Sequence, residues 1–330
     1  MKDVLSRRQF LEVSSAAWAA SALPLSMRSA VPPARGPYRG TICFFSKVVP
    51  QMNWQDLAKS AKAAGFGGID LTVRGHGHVD PKNAAEDLPK AAEDLPKAVE
   101  AIRAEGLEVP MITTNLLTAD HPTAVPILST AQKLHIPYLK PGYYRFKFTD
   151  LRKEAEEFSE QFKGLVELAA KYQVQVGFHN DANFFGAQTW DLDRVMQTLD
   201  PKWAGYYWDI ENGTITGGGD GWRNDAWLAM SRMKMVGAKD FYWAKSQTGE
   251  WRVKGCPIGQ GMCNFKKFLP MLAEANFQGP ISLHMEYEVP GASVPEGLAI
   301  SREKCDEVMA AAKQNLDTLK AMVHAAYEGA

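Results

Sequence analysis

Gly279-Pro280-Ile281-Ser282-Leu283-His284-Met285-Glu286-Tyr287-Glu288 is the stretch whose reading decides the fold. Ile281, Leu283, Met285 and Tyr287 alternate with Ser282, His284, Glu286 and Glu288, the period-two pattern of a strand with two unlike faces. The pattern predicts a strand over 281–288. It begins at Gly-Pro and lies between two helix-like runs. In an α/β chain such a strand is covered by helices on its apolar face, so the polar face needs a purpose. The interior of a closed barrel near the C-terminal mouth supplies one.

Working outward, the strand is the last of about eight strand–helix units. Apolar runs at 40–45, 67–72, 107–113, 136–140, 174–179, 203–209 and 234–239 read as the other strands, with helical patterns between them. Eight such units without a linker, over residues 38–330, predict a single (β/α)8 TIM barrel. A doubly wound open sheet would usually have fewer units and a phosphate-binding glycine signature after its first strand, which Phe44-Phe45-Ser46-Lys47 is not. Residues 84–90 and 91–97 are both Ala-Ala-Glu-Asp-Leu-Pro-Lys. One copy suffices to start the helix running to 105, with Asp94 near its N-cap and Pro96 in its first turn, so the other reads as a lengthened loop.

The N-terminus reads differently. Ser6-Arg7-Arg8-Gln9-Phe10-Leu11 followed by the apolar run 13–25 is a twin-arginine export signature. Residues 1–30 are therefore expected to be a signal peptide with a short linker. The mature chain is expected in the periplasm, with the twin-arginine machinery as a transient partner. The run is short for a membrane span and no Cys follows it, so no membrane anchor is expected. An oxidising compartment permits a Cys256–Cys263 bridge; isolated buried thiols are the equal alternative. With 37 Lys+Arg against 38 Asp+Glu, nothing in the charge balance calls for nucleic acid.

In a barrel, chemistry sits where strands end. The strand-terminal residues are Asp70 with Arg74 and His78 beyond it, Asn115, Lys140, His179 with Asn180, Asp209 with Glu211 and Asn212, Lys239 with Asp240, and His284 with Glu286. Asp209 could simply cap a turn and Lys239-Asp240 could be a solvated pair. Together, however, His, Asp and Glu on neighbouring strand ends make a set that can hold Mn²⁺, Zn²⁺, Co²⁺ or Mg²⁺.

The order of Gly65-Phe66-Gly67-Gly68-Ile69-Asp70-Leu71, Phe178-His179-Asn180, Trp208-Asp209, Ala238-Lys239-Asp240, Ile258-Gly259-Gln260-Gly261 and Gly279-Pro280-Ile281-Ser282-Leu283-His284 resembles the sugar phosphate isomerase/epimerase superfamily, the xylose-isomerase-like TIM barrels. The resemblance runs from about Gly40 to the end. It implies a metal held by a Glu, an Asp, a His and a Glu on strands five to eight. Here Asp209 matches the Asp, His179 and His284 stand at the two Glu positions, and Gly237 stands where the strand-seven His belongs. It further implies a metal-dependent sugar isomerase or epimerase working through an enediolate. Metal ligands would be His179, Asp209 and His284 or Glu286. Glu286 would be the base and Lys239 the acid or oxyanion partner, its pKa lowered by a neighbouring cation. Arg74, His78, Asn115, Lys140 and Trp208 are the candidate substrate contacts. The expected partner is a small carbohydrate; homo-oligomerisation is left open. Two other readings stay open: a lyase that eliminates from a keto-glycoside, and a carbohydrate-binding barrel without catalysis. A DNA phosphodiesterase would want more His and Glu ligands and a basic face.

Overall fold

The computed structural model describes residues 36–81, 91–289 and 304–329. The expected signal peptide and the first copy of the repeat lie outside these residues. Strands β1 (Ile42–Phe45), β2 (Gly68–Val73), β3 (Glu108–Thr114), β4 (Tyr138–Lys140), β5 (Gln175–His179), β6 (Ala204–Asp209), β7 (Met233–Ala238) and β10 (Ile281–Leu283) close into a barrel in the order β1-β10-β7-β6-β5-β4-β3-β2. Every neighbouring pair in the ring is parallel. Helices follow β1 to β7 and β10 and cover the barrel, so the expected (β/α)8 fold is the observed one. Among the described residues no helix is long and apolar enough to cross a membrane.

Side-chain parity divides the strands as the alternation requires. Met111 of β3, Tyr207 of β6 and Met235 of β7 meet inside the barrel and fill it. Gly177 of β5 makes room for them, because a Cβ there would run into Met235. On the outer parity, Trp208 packs into the helical layer against Trp222 and Phe268, with ring centroids 6.4 and 4.9 Å away. Trp208 is fully buried and faces away from the barrel axis. The expected substrate contact at Trp208 is therefore corrected: the odd–even register of β6 sends Asp209 inward and Trp208 outward.

Three element boundaries differ from the sequence reading, each for a local reason. The β10 ladder ends at Leu283, opposite Ala238 and Phe44, since β7 ends at Ala238 and leaves no further partner edge. His284 still donates its N–H to the Ala238 carbonyl at 2.9 Å, and the chain then leaves the sheet carrying Glu286 with it. After β6, where Ile210-Glu211-Asn212-Gly213 and the triple glycine at 217–219 read as an opening loop, the chain is helical. Asp209 accepts the Asn212 N–H at 3.0 Å and starts helix α6 (Ile210–Met230), which breaks at Gly218 and Gly219 with φ of 53° and 39°. The repeat-bearing helix α2 (Ala91–Ala104) begins before Asp94, so Pro96 lies inside it rather than in its first turn.

Beyond β7 the chain forms an antiparallel hairpin of β8 (Asp240–Lys245) and β9 (Trp251–Cys256). Asp240 anchors its base. Its carboxylate accepts backbone N–H groups from Phe241, Gly259, Gly261 and Cys263, at 2.9 to 3.0 Å. Asp240 and Lys239 are both buried, so they are no solvated pair. All four cysteines are buried, and no Cys256–Cys263 bridge forms.

Removing the outer-layer ring should show in stability. Trp208→Ala is expected to cost about 3–5 kcal/mol through lost transfer energy and a cavity between β6 and the helices. The urea midpoint of unfolding, compared with the wild type, measures it; an unchanged midpoint would contradict this packing.

Candidate functional site

The site is built on the arc β5-β6-β7-β10. Asn180 holds the end of β6 with both side-chain atoms: the Asp209 N–H donates to Oδ1 at 2.7 Å, and Nδ2 donates to the Asp209 carbonyl at 3.1 Å. With Oδ1 of Asp209 committed to the helix cap, Oδ2 is left without a hydrogen-bond partner although fully buried. It faces His179 Nε2 at 3.6 Å, His284 Nδ1 at 3.9 Å and Lys239 Nζ at 3.9 Å. Burial works against its charge, but Lys239 and the two imidazoles outweigh that and bring the carboxyl down to about 2.

The two histidines are oriented from behind. Tyr207 Oη lies 2.7 Å from His284 Nε2 and donates to Asp70 Oδ2 at 3.1 Å. That direction makes Nε2 of His284 the protonated nitrogen and turns the Nδ1 lone pair toward Asp209. The ring also stacks on Phe45 at 4.3 Å. Asp70 itself accepts from Thr113 at 2.8 Å and Ser282 at 2.8 Å; burial raises its carboxyl to about 6. His179 approaches Tyr143 Oη through Nδ1 at 3.4 Å, and its buried Nε2 has no hydrogen-bond partner. Burial holds both imidazoles neutral, with His284 down at about 3.

His179, Asp209 and His284 thus offer three ligand atoms within 4.8 Å of one another, all buried. Two lone pairs and one carboxylate oxygen, two of the three atoms unsatisfied, form a set that could hold a divalent ion. The separations are slightly wider than those of donors around an ion with bonds of about 2.1 Å. The strand-seven position explains the missing fourth ligand. A Cβ on Gly237 would stand 2.5 Å from Asp209 Oδ2, so no side chain fits there.

Lys239 occupies that space instead. Its Nζ is 3.2 Å from Glu286 Oε2 and 3.8 Å from Glu211 Oε1 in addition to Asp209. Burial alone would push the ammonium down, but the three carboxylates hold it well above the usual lysine range. This overturns the expected lowering: the neighbours that dominate are anions. Glu286 also accepts from Lys47 at 2.7 Å. Burial opposes its charge, yet Lys239 and Lys47 hold it well below the usual carboxylate range. Glu211 ends at about 8, because burial and the nearby Asp209 and Glu286 outweigh Lys239.

Above this cluster opens a cavity of about 430 Å³ lined by Lys47, Arg74, Tyr143, Arg145, Asp181 and Phe184 together with His179, Lys239, His284 and Glu286. Of the expected substrate contacts, Arg74 lines it. His78 does not: it folds back on its own loop, its N–H donating to Thr72 at 3.0 Å, and burial lowers its pKa to about 4. Asn115 is exposed off the cavity wall. Lys140 lies behind Tyr143, its buried Nζ 3.3 Å from the ring centroid and without a hydrogen-bond partner, and burial pushes its pKa well down. Sequence reading assigned no role to Lys47, Tyr143, Arg145 or Asp181, and placed Glu211 only among the strand-end residues. Each directly follows a barrel strand or lies within a few residues of its end, which is the one signal that could have drawn them in. Two further hollows, of about 450 and 570 Å³, open at the N-terminal ends of the strands, where barrels keep stability rather than chemistry.

The profile of the xylose isomerase-like TIM barrel family matches residues 58–306. No curated protein matches the sequence. Among solved structures, the chain is similar to a xylose isomerase domain protein from Planctomyces limnophilus, with a TM-score of 0.61 at 14% identity, covering 87% of this chain and 98% of that one. A xylose isomerase-like TIM barrel protein from Mycobacterium smegmatis, in complex with magnesium, gives 0.62 at 12%, covering 88% and 99%. D-Allulose 3-epimerase from Methylomonas sp. gives 0.61 at 14%, covering 88% and 99%. At these identities the likeness is one of fold.

The histidine environment has a pH signature. The folded-state pKa of His284, about 3, lies below the unfolded value of about 6.5. Its contribution to stability is therefore present above pH 6.5 and lost as pH falls toward 3. Asp70, raised to about 6, works in the opposite sense, its contribution lost as pH rises through 6. In chelator-treated protein, the wild type should lose stability relative to His284→Gln as pH drops from 7 to 4. Parallel urea midpoints across that range would refute the buried, neutral imidazole.

Proposed function

The chain belongs to the xylose isomerase-like TIM barrel family, and from that premise we propose that it is a metal-dependent sugar isomerase or epimerase. It would move a proton on the carbon beside a carbonyl. The observation that carries this reading is the ionised Glu286 set beside the Lys239 ammonium on the wall of a cavity whose floor is the His179–Asp209–His284 cluster. The D-allulose and L-ribulose 3-epimerases among the structural neighbours support the same class of chemistry.

His179 Nε2, Asp209 Oδ2 and His284 Nδ1 would hold the ion; two imidazoles to one carboxylate favour Zn²⁺ or Co²⁺ over Mg²⁺. When bound, the ion supplies Lewis-acid stabilisation of the negative charge that develops on the sugar oxygens. Glu286 is ionised throughout the neutral range and is the residue that accepts the proton. Its contact with Lys47 ties up one oxygen, so an incoming sugar must compete with that lysine for it. Lys239 holds its own proton too tightly to release it at neutral pH. Its part is a fixed hydrogen-bond donor to the developing oxyanion, in a buried site where such a charge counts for more than in water. Glu211 does not line the cavity. Protonated at neutral pH, it leaves the charge of Asp209 and Glu286 less crowded around the one ammonium. The Arg7-Arg8 signature supports a periplasmic setting, where free or oxidised sugars are more to be expected than sugar phosphates.

Two measurements test the proposal. Elemental analysis of the folded protein should find close to one equivalent of a divalent metal, lost on His179→Ala. Ketoses incubated with the enzyme in D2O should take up deuterium beside the carbonyl without change of carbon skeleton. Glu286→Gln should slow that exchange by about 10²- to 10⁴-fold with metal content retained. A product of lower mass would identify a lyase instead. Absence of both metal and exchange, with sugar binding intact, would leave a binding barrel.

A further inference from the structure

Around the ring, the arc β5-β6-β7-β10 carries His179, Asp209, Lys239, His284 and Glu286, and the arc β4-β3-β2-β1 carries Arg145, Arg74 and Lys47 on the loops that follow its strands. The cavity is therefore polarised. One wall holds the metal-ligating set and the base. The other is cationic.

We infer that this site takes a sugar bearing an anionic group, a carboxylate or a phosphate, held by the guanidiniums of Arg74 and Arg145. That the ligand is a sugar rests on the reading proposed above; the anion rests on the wall itself.

Lys47 is engaged with Glu286 at 2.7 Å. The two arginines are not so engaged: among the described residues neither is ion-paired or hydrogen-bonded to another side chain. Arg145 sits over the Phe184 ring, its Cζ 4.6 Å from the centroid, and Phe184 in turn stacks on Tyr143 at 4.7 Å. A cation–π contact of this kind holds a guanidinium in place without using up its N–H donors. Arg74 is half-buried at the end of β2.

The surrounding charge points the same way. Four cations line the cavity, Lys47, Arg74, Arg145 and Lys239, against the carboxylates of Asp181 and Glu286 on its wall and Asp209 beneath its floor. Glu286 is already shared by two lysines, and Asp181 makes no ion pair with either arginine among the described residues. A divalent ion on His179, Asp209 and His284 would add to the excess. A neutral sugar is recognised by hydroxyl-directed hydrogen bonds and ring stacking, and gives two guanidiniums in a concave site nothing to neutralise. An anionic group does, and a guanidinium fork matches both carboxylate and phosphate geometry. A cavity of about 430 Å³ has room for one sugar ring with its acidic substituent between the two walls.

Calorimetric titration of the full chain with glucose, glucuronate and glucose 6-phosphate tests this without depending on turnover. One or both anionic sugars should bind about 10²-fold more tightly than glucose. Arg74→Gln and Arg145→Gln should each cut that preference about tenfold or more, as expected for losing a hydrogen bond to a charged group. Arg74→Lys, which keeps the charge but loses the fork, should retain part of it; this variant also answers the objection that Arg74→Gln is misfolded. Which of the two anions is preferred distinguishes carboxylate from phosphate. Equal binding of all three sugars, or a preference that survives the double variant, would overturn the inference. The isomerase reading fails separately: arginine-dependent binding of the acid without deuterium exchange on any keto sugar leaves the anion site standing and removes the proposed reaction. Efficient exchange on neutral ketoses with no effect of the arginines does the reverse.

Discussion

Asp209 uses its two carboxylate oxygens for different purposes, and the upper barrel depends on that division. Oδ1 accepts the Asn212 N–H and starts the helix after β6, while Asn180 clamps the backbone of the same residue from β5. A capped helix and a clamped strand leave the carboxylate one orientation. Oδ2 is thereby delivered, buried and unsatisfied, to the point where His179, His284 and Lys239 converge. An uncompensated carboxylate at such a place would be costly, so the Lys239 ammonium beside it is a requirement of the fold as well as a resource for chemistry.

Lys239 follows from the same requirement. Gly237 has no side chain because Asp209 takes the space, and the next inward position on that strand end reaches over the gap with an ammonium. The carboxylates of Asp209 from β6 and Glu286 from the segment after β10 gather on it, with Glu211 of α6 beside them, which keeps it charged in a place where burial alone would discharge it. Lys140 shows the contrast. It is equally buried but faces an aromatic ring and, among the described residues, no carboxylate within ion-pair distance, and burial drives its pKa down. The same residue type is held above its usual range at one strand end and pushed below it at another, decided by neighbours that come from other strands.

Beneath the site, the chain from Thr113 and Ser282 through Asp70 and Tyr207 to His284 fixes which imidazole nitrogen carries the proton. Ligand orientation of this kind is normally supplied by a partner one shell out. Here it comes from four different strands, and the aromatic and methionine plug of Met111, Tyr207 and Met235 supports it from below.

Much of this was legible in the sequence. Strand alternation and the count of strand–helix units determined a closed barrel, because a period of two with a polar face inside a helix-covered sheet has few other homes. The same parity identified His179, Asp209, Lys239, His284 and Glu286 as residues of one rim. What parity along one strand does not contain is distance between strands. That Trp208 faces the helices, that His78 folds onto its own loop, and that Lys47, Tyr143 and Arg145 join the site were decided by barrel closure and by loops whose course has no periodic signal. The tertiary structure alone also decided the charge states, raising Glu211 and Lys239 and lowering Glu286 and His284, because a pKa depends on which groups burial brings within a few ångströms of each other.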